Sequence, residues 1–271
     1  MCGIVGYTGY RKANEVLING LLKLEYRGYD LAGMATIEEN KIVINKEKGR
    51  VANLQNLDSV KNLSGTLGIA HTRWATHGIP SKENAHPHMD CYNTFAVVHN
   101  GIIENFSELK SFLEGHGYTF KSQTDTEVIP NLIHYYYSND SISEGFEKFL
   151  DAVKRTVDNL KGSYALEVIS SLFPNEIIVV KKDNPLVIGK GKNENFIASD
   201  IPAILQYTNE FYLLDDNEIA VITSSNISFY DNHLESHNKE IKNIEWVASS
   251  ADKNGYEDYM LKEIYEQPVA I

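Results

Sequence analysis

The chain has 271 residues, enough for one large domain with a sizeable core. Its composition, 42% hydrophobic and 23% charged residues, is ordinary for a globular protein. A formal net charge of −12 argues against nucleic acid or an anionic membrane as partner, because both attract basic surfaces. It leaves room for a small anionic substrate held by one or two arginines. The apolar runs are far shorter than a membrane span.

Cysteine usage indicates a reducing compartment. The chain contains only Cys2 and Cys91, and neither belongs to a CxxC pair. A disulfide framework or a thiolate zinc site is therefore disfavoured. The first residues carry no basic segment followed by an apolar run, so we expect no export signal and a cytoplasmic location.

Strands dominate the predicted elements. "CGIVGYT" predicts a strand, and apolar residues at helical spacing then predict a helix up to Tyr26. "LAGMATIEENKIVINK" predicts a hairpin with its turn at Glu39-Asn40. Further strands are predicted in "LGIAHTRWA", "TFAVVHNGI", "YALEVIS", "EIIVVKK" and "EIAVIT". Several are apolar at consecutive positions, which is typical of strands covered on both faces.

Helices are predicted at about 105–115, 125–137, 142–161 and 200–207. Thr124 and Glu127 have the spacing of a capping box, which makes Thr124 the N-cap and puts Asp125 in the first helical turn. There are too many buried strands for one small sheet. We therefore expect an α+β fold in which two sheets pack together beneath outer helices.

The cysteine directly after Met1 has two interpretations. If Met1 is removed, Cys2 carries both a thiol and a free α-amino group, so that a nucleophile brings its own base. The alternative is a small hydrophobic residue at the start of a strand, since free cysteine is commonly buried and inert.

The segment from 71 to 101 holds the histidines His71, His77, His86, His88 and His99. A zinc site is the obvious alternative, but HExxH and an assisting cysteine pair are both missing from the sequence. We therefore expect no metal.

Three other polar positions have two interpretations each. Arg73 is either a surface ion-pair partner or a bidentate clamp for a carboxylate. Asn100-Gly101 is either a turn dipeptide or an oxyanion hole, with one donor from the amide and one from the glycine backbone. Asp125 either compensates a helix dipole or belongs to a site at the mouth of that helix.

Several motifs in order resemble the glutaminase domain of the glucosamine-6-phosphate synthases, which are class II glutamine amidotransferases. The resemblance covers essentially the whole chain. The motifs are Cys2-Gly3-Ile4, "YRGYD" at 26–30, "HTRWATHG" at 71–78, "HNG" at 99–101, "TDTE" at 124–127, "PLVIG" with "ENFIASD", and "YMLKEIYEQP" at 259–268.

This resemblance implies an N-terminal-nucleophile hydrolase fold, a four-layer α-β-β-α sandwich. It also implies cleavage of L-glutamine to glutamate and ammonia through a thioester, without a cofactor. Cys2 is then the nucleophile with its α-amino group as base, and Asn100 with Gly101 forms the oxyanion hole. Arg27 belongs to a loop that borders the nucleophile.

The resemblance also assigns the substrate-binding residues. Arg73 would hold the glutamine α-carboxylate, with Thr76 and His77 beside it, and Asp125 would receive the α-ammonium group. Trp74 matches the gate on the ammonia path of the family.

One position departs from the family pattern, and relatives within the class remain as alternatives. Leu31 stands where the family has serine, which puts the contacts of the neighbouring loop in doubt. The glutaminase domains of the purine-pathway phosphoribosyl amidotransferase and of asparagine synthetase share the cysteine start and the Asn-Gly pair. A catalytically silent glutamine-binding module is an alternative from another class.

The expected organisation is a glutaminase domain at 1–240 and a C-terminal segment at 241–271 that leads to sugar-isomerase domains outside the chain. We therefore expect a fragment, with a freestanding glutaminase as the alternative. The fragment would meet fructose 6-phosphate only through those missing domains, and it could form a homodimer. Tyr259, Leu261, Ile264 and Tyr265 are expected to form an apolar helical face in the C-terminal segment.

Overall fold

The computed structural model describes residues 2–74, 79–139, 145–244, 256 and 259–270. In this part of the chain the strands form two sheets, and the pairs between neighbouring strands are antiparallel. The strands are β1 (Gly3–Thr8), β2 (Leu31–Glu38), β3 (Lys41–Lys48), β4 (Leu67–Arg73), β5 (His88–Met89), β6 (Phe95–Ile103), β7 (Gly162–Ser170), β8 (Ile177–Lys182), β9 (Val187–Lys190), β10 (Asn195–Ala198), β11 (Glu210–Leu213), β12 (Ile219–Ile222), β13 (Ile227–Tyr230), β14 (Ser236–His237) and β15 (Lys242–Asn243).

The two sheets differ in strand order. The first runs β15-β11-β9-β10-β1-β4-β2-β3, and the second runs β14-β13-β12-β8-β7-β6-β5. The helices are α1 (Ala13–Leu24), α2 (Val51–Gln55), α3 (Asp58–Lys61), α4 (Phe106–Gly115), α5 (Val128–Asn139), α6 (Phe146–Asn159) and α7 (Tyr259–Ala270), with 3-10 helices at Glu25–Arg27 and Ile201–Ala203.

Three apolar clusters show how these elements are layered. One joins Val5 of the first sheet to Leu17 and Leu21 of α1. A second joins strands of the second sheet to residues of α5 and α6. The third lies between the sheets and includes Ile4 and Val98. Ile4 and Val5 are adjacent and their side chains point to opposite faces of the sheet. Consecutive apolar residues of one strand therefore pack into two different clusters. The order helix, sheet, sheet, helix confirms the four-layer α+β sandwich.

Most predicted elements are confirmed, including the hairpin, where Glu39 and Asn40 adopt φ of 49° and 61° at the turn between β2 and β3. The helix predicted at 200–207 is wrong, because only Ile201–Ala203 is helical, as a short 3-10 turn. The four-residue strands β9, β10, β11 and β13 were not predicted. Residues 142–144 of the helix predicted at 142–161 lie outside the described residues, and α6 begins at Phe146.

The segment predicted from 241 onward contributes both to a sheet and to a helix. Strand β15 pairs with β11 at the edge of the first sheet. In α7 the side chains of Leu261, Ile264 and Tyr265 are 38%, 53% and 64% exposed; the side chain of Tyr259 lies outside the described residues. The domain boundary at 240 stays a prediction. Across the ranges that the structure describes, no helix is both long and apolar enough for a transmembrane span.

Glu167 is a carboxylic acid in the apolar layer between the sheets. It lies on β7, in register with Val98 of β6 and Val179 of β8. It is fully buried, and neither carboxyl oxygen has a hydrogen-bond partner among the described residues. Its Oε2 would be 2.7 Å from a Cβ added to Gly6, so the carboxyl packs directly over the Gly6 backbone. Burial raises the pKa of Glu167 well above its ordinary value.

This raised pKa predicts a pH-dependent stability. The folded chain keeps a proton that the unfolded chain releases above a pKa of about 4.3, so the free energy of unfolding falls as the pH rises from there toward the raised pKa. Glu167→Leu should increase the free energy of unfolding by about 1–3 kcal/mol at pH 5, by removing an unpartnered polar group, and by more at pH 8.

Urea denaturation at both pH values is the measurement for this prediction. Glu167→Gln is the matched control, because it keeps a polar side chain that does not titrate. It should differ little from the unsubstituted chain at pH 5 and should be the more stable of the two at pH 8. Equal differences at the two pH values would contradict a buried protonated carboxyl.

Candidate active site

Cys2 is anchored where β1 begins, although chain ends commonly fray. The Gly3 N–H donates to Thr72 Oγ1 at 3.2 Å, and the Ile4 N–H donates to Ser199 Oγ at 3.1 Å. Asn100 Nδ2 donates to the Cys2 carbonyl oxygen at 3.0 Å. These bonds tie Cys2 to neighbouring strands of the first sheet and to β6 of the second sheet.

The thiol of Cys2 accepts a hydrogen bond from the Trp74 N–H at 3.3 Å. Burial raises the pKa of this thiol above its ordinary value, while the Trp74 N–H and the positive charge of Arg73 act in the opposite direction. The net direction is upward, so the thiol is mostly protonated near neutral pH. It therefore needs a base to become a nucleophile.

Asn100 and Gly101 lie inside β6, where they pair with Ala165 and Tyr164 of β7. The turn-dipeptide interpretation is therefore wrong. Gly101 has φ of 130°, and a Cβ at this position would lie 2.0 Å from the Ser163 carbonyl oxygen. Only glycine fits here. The Gly101 backbone is exposed next to the buried Asn100 side chain.

The structure brings five of the predicted residues together around one cavity. They come from the start of β1, the end of β4, the middle of β6 and the loop before α5. Its lining residues are Cys2, Arg73, Trp74, His86, His99, Gly101, Ile102, Asp125 and Thr126.

Arg73 and Asp125 supply opposite charges to this cavity. The Arg73 side chain is buried, and its Nη1 donates to the Asn84 carbonyl oxygen at 3.0 Å. Burial lowers the pKa of Arg73, while the charge of Asp125 partly offsets that effect. Asp125 Oδ2 accepts from the Ile103 N–H at 2.8 Å, which fixes this carboxylate beside the end of β6. A cation and an anion in one small cavity match the carboxylate and ammonium groups of an amino acid.

The capping box predicted at Thr124 is wrong. Glu127 accepts instead from the backbone N–H groups of Lys121 and Ser122, at 2.6–3.1 Å. Thr124 Oγ1 lies 3.0 Å from His88 Nε2. Helix α5 therefore begins only at Val128, and Asp125 lies in the loop ahead of it rather than in the first helical turn.

Among the remaining predicted residues, only Trp74 is seen to line the cavity in the part of the chain that the structure describes. Arg27 does not line the cavity; its Nη1 donates to the Ser199 carbonyl oxygen at 2.9 Å and lies 3.7 Å from Asp200 Oδ2. Trp74 is 44% exposed at the cavity, and its ring meets the Tyr29 ring edge-on at 5.5 Å. Thr76 and His77 lie outside the described residues. The roles of all these residues stay predictions.

Buried histidines form the wall behind the cavity. His86 stacks on His71 with ring centroids 4.2 Å apart, and its ring lies 4.9 Å from His88 and 6.4 Å from His99. Burial lowers the pKa of each, so all four are neutral. The described residues hold no group of three His, Cys, Asp or Glu side chains placed to bind a metal ion.

Several cavity residues were not predicted. His86 entered the sequence analysis only through the zinc alternative. His99, Ile102 and Thr126 lay within quoted motifs or a predicted strand, but no role was assigned to them. The sequence features that could have indicated them are the histidine run, for His86 and His99, and the positions directly after Gly101 and Asp125, for Ile102 and Thr126. Leu31, which departs from the family pattern, is fully buried and pairs with Arg73 on the neighbouring strand β4.

Two known proteins are similar to this chain over its whole length. Glutamine–fructose-6-phosphate aminotransferases [isomerizing] from Clostridium acetobutylicum and Clostridium perfringens are each 52% identical to this chain over all 271 residues. The chain spans 43% of the length of these relatives.

Solved structures share the architecture. The glutamine phosphoribosylpyrophosphate amidotransferase of B. subtilis superposes with a TM-score of 0.72 at 26% identity, over 87% of this chain and 50% of that one. A glutamine aminotransferase class-II domain protein from Silicibacter pomeroyi, 14% identical with a TM-score of 0.56, shares the fold over 85% of this chain and 99% of its own.

A family model describes the half of the chain that contains most of the cavity. It is the model of the glutamine amidotransferase domain, and it matches residues 71–206. Arg73, Gly101 and Asp125 fall within that match. The chain belongs to the glutamine amidotransferase domain family.

Proposed function

We propose that this chain hydrolyses L-glutamine to L-glutamate and ammonia, with Cys2 as the nucleophile. The observation that carries the proposal is the cavity that joins a partly buried thiol, a cationic Arg73 and an anionic Asp125 beside the Asn100-Gly101 pair. The family and the relatives described above support glutamine as the substrate.

The chemistry begins with the protonated thiol. After loss of Met1, the free α-amino group of Cys2 takes the thiol proton; the ordinary pKa of such a group is about 7.7–8.0, close enough to neutral pH for a general base. The sulfur attacks the side-chain amide carbon of glutamine, and the carbonyl π electrons move to oxygen. Asn100 Nδ2 and the Gly101 N–H donate to that oxyanion.

The intermediate then collapses in two stages. The protonated α-amino group of Cys2 gives its proton to the departing amide nitrogen. Ammonia leaves, and a thioester remains on Cys2. Water, deprotonated by the same α-amino group, attacks the thioester carbon. Glutamate leaves and the thiol is restored. No separate histidine base is required. Burial lowers the pKa values of His86 and His99, which makes both of them poor proton acceptors.

Arg73 is proposed to bind the α-carboxylate of glutamine with two parallel hydrogen bonds. Arg73→Lys should therefore raise KM by about tenfold or more with a smaller change in kcat, because an ammonium group cannot replace a planar fork. Steady-state kinetics against glutamine concentration measure both constants. Arg50→Lys is the matched control at an exposed ion pair with Glu25 and should leave KM unchanged. An unaltered KM in Arg73→Lys would remove Arg73 from carboxylate binding.

The ammonia acceptor belongs to a larger assembly. We propose that the ammonia serves conversion of fructose 6-phosphate to glucosamine 6-phosphate in sugar-isomerase domains outside this chain, as the names of the curated relatives support. Residues 1–240 would be the glutaminase domain in that enzyme. The homodimer, the cytoplasmic location and the lack of a cofactor stay predictions.

The proposed function is tested by product analysis. The purified chain is incubated with L-glutamine, and glutamate and ammonia are quantified by chromatography and an enzymatic ammonia assay. Equimolar glutamate and ammonia are expected, and a thiol-alkylating analogue of glutamine should block both. Binding of glutamine without either product would indicate the silent binding module instead.

A further inference from the structure

The amide of Asn100 has two chemically different ends, and only one can stabilise an oxyanion. Its Nδ2 is a donor and points to the Cys2 carbonyl oxygen at 3.0 Å. Its Oδ1 is an acceptor and lies 3.0 Å from His71 Nε2. A rotation of this amide by 180° would exchange the two ends and would aim an acceptor at the reaction centre.

A backbone carbonyl determines which nitrogen of His71 carries the proton. His71 Nε2 also lies 3.1 Å from the carbonyl oxygen of His99, which can only accept. An unprotonated Nε2 would direct its lone pair at that oxygen. Nε2 is therefore the protonated nitrogen, and its N–H is shared between the His99 carbonyl and Asn100 Oδ1.

The other ring nitrogen agrees with this tautomer. His71 Nδ1 is buried and has no hydrogen-bond partner among the described residues, as suits a nitrogen without a proton. Burial lowers the pKa of His71 to about 3, and the nearby charge of Arg73 acts in the same direction. The ring is therefore neutral throughout the pH range in which an amidotransferase works.

The ring itself is held rigidly. His71 is 1% exposed, stacks on His86, and lies on the interior strand β4 between Ile4 of β1 and Gly33 of β2. Its donor therefore occupies a fixed position opposite Asn100.

We propose that His71 is a positioning residue for glutamine hydrolysis: its Nε2–H holds Asn100 Oδ1 and thereby directs Asn100 Nδ2 toward the oxyanion. This inference rests on the proposed function, because it concerns the orientation of the proposed oxyanion donor. His71 does not touch the substrate. It acts by excluding the rotated amide, in which two donors would face each other.

The kinetic test compares three substitutions. His71→Phe keeps a stacking ring without the donor, and it should lower kcat by about 10-fold to 100-fold while KM for glutamine stays within about threefold. His71→Gln carries an N–H at a similar reach and should recover kcat to within about threefold of the unsubstituted chain. His88→Phe is the control. His88 belongs to the same wall of buried histidines but contacts Thr124 rather than Asn100, so this substitution should lower kcat far less than His71→Phe does.

A double-mutant cycle separates positioning from a general structural role. If His71 acts through Asn100, adding His71→Phe to Asn100→Ala should lower kcat by less than about twofold further. A full additional loss would overturn the proposal. An Asn100→Ala variant with unchanged kcat would also overturn it, because Asn100 would then not serve the oxyanion. An inactive unsubstituted chain would instead refute the proposed function.

One measurement needs no substitution that could disturb folding. Nitrogen-15 NMR of the histidine-labelled chain should show His71 with a protonated Nε2 and an unprotonated Nδ1, without titration between pH 5 and 8. The His71→Gln spectrum assigns the signals. A protonated Nδ1, or an imidazolium at pH 7, would overturn the proposal.

Discussion

Replacing Cys2 by alanine is expected to lower kcat for glutamine hydrolysis on the order of 10⁴–10⁶-fold, the scale seen when a covalent nucleophile is removed. The thiol is the group that forms the proposed thioester, and its hydrogen bond to the Trp74 N–H holds it at the cavity. Arg73 and Asp125 remain in place, so calorimetry should show glutamine binding within about threefold of the unsubstituted chain.

Cys91→Ala is the matched control for this prediction. Cys91 is also a free, partly buried cysteine, but it does not line the cavity around Cys2. Its substitution should leave kcat and KM close to their original values. If hydrolysis were retained in Cys2→Ala and lost in Cys91→Ala, the nucleophile would be Cys91 and the assignment to Cys2 would be wrong.

The second large effect is expected at Asn100. Asn100→Ala removes one of two oxyanion donors and should lower kcat by about 10²–10³-fold, or about 2.7–4 kcal/mol of transition-state stabilisation, with little effect on KM. The Gly101 N–H remains as the second donor, which explains why the loss is smaller than at Cys2. Single-turnover measurements report this step directly, because they exclude product release.

Thermal unfolding and a surface substitution control for indirect effects of Asn100→Ala. The Asn100 amide also bonds the Cys2 carbonyl oxygen, so a modest decrease in Tm is compatible with the prediction. Asn105→Ala removes a partly exposed amide that likewise contacts backbone groups, at Asn159 and Lys161. It should leave kcat unchanged. A kcat for Asn100→Ala within threefold of the original would contradict an oxyanion role.

The layered fold could be predicted because both faces of its central strands are buried. Runs such as Phe95–Val98 are apolar at every position, and adjacent residues of β6 enter different clusters, Val97 with α5 and Val98 between the sheets. Short elements carry too little pattern for such a prediction. Strand β9 has four residues, and the helix expected at 200–207 was reduced to one 3-10 turn.

The capping box failed for a different reason. Its sequence spacing is correct, but the Glu127 carboxylate is already used by the N–H groups of Lys121 and Ser122. A motif defined by four residues contains no information on a preceding loop. That loop, rather than a helical turn, sets the position of Asp125.

The site residues nearest the thiol were predicted from motifs, whereas the residues behind them were not. His71 and Asn100 are separated by 29 positions, and their hydrogen bond arises because β4 of one sheet faces β6 of the other. The tautomer of His71 further depends on the His99 carbonyl. No local pattern contains that information, so the histidine run alone was compatible with a zinc site.

Intact-mass spectrometry tests most directly whether Cys2 acts as a nucleophile activated by its own α-amino group. The chain is treated with a diazoketone analogue of glutamine and analysed together with its glutaminase activity. We expect that active chains lack Met1 and carry a single adduct on Cys2, with activity lost in proportion to labelling. Full activity in chains that retain Met1, or an adduct on Cys91 that accompanies the loss of activity, would contradict it.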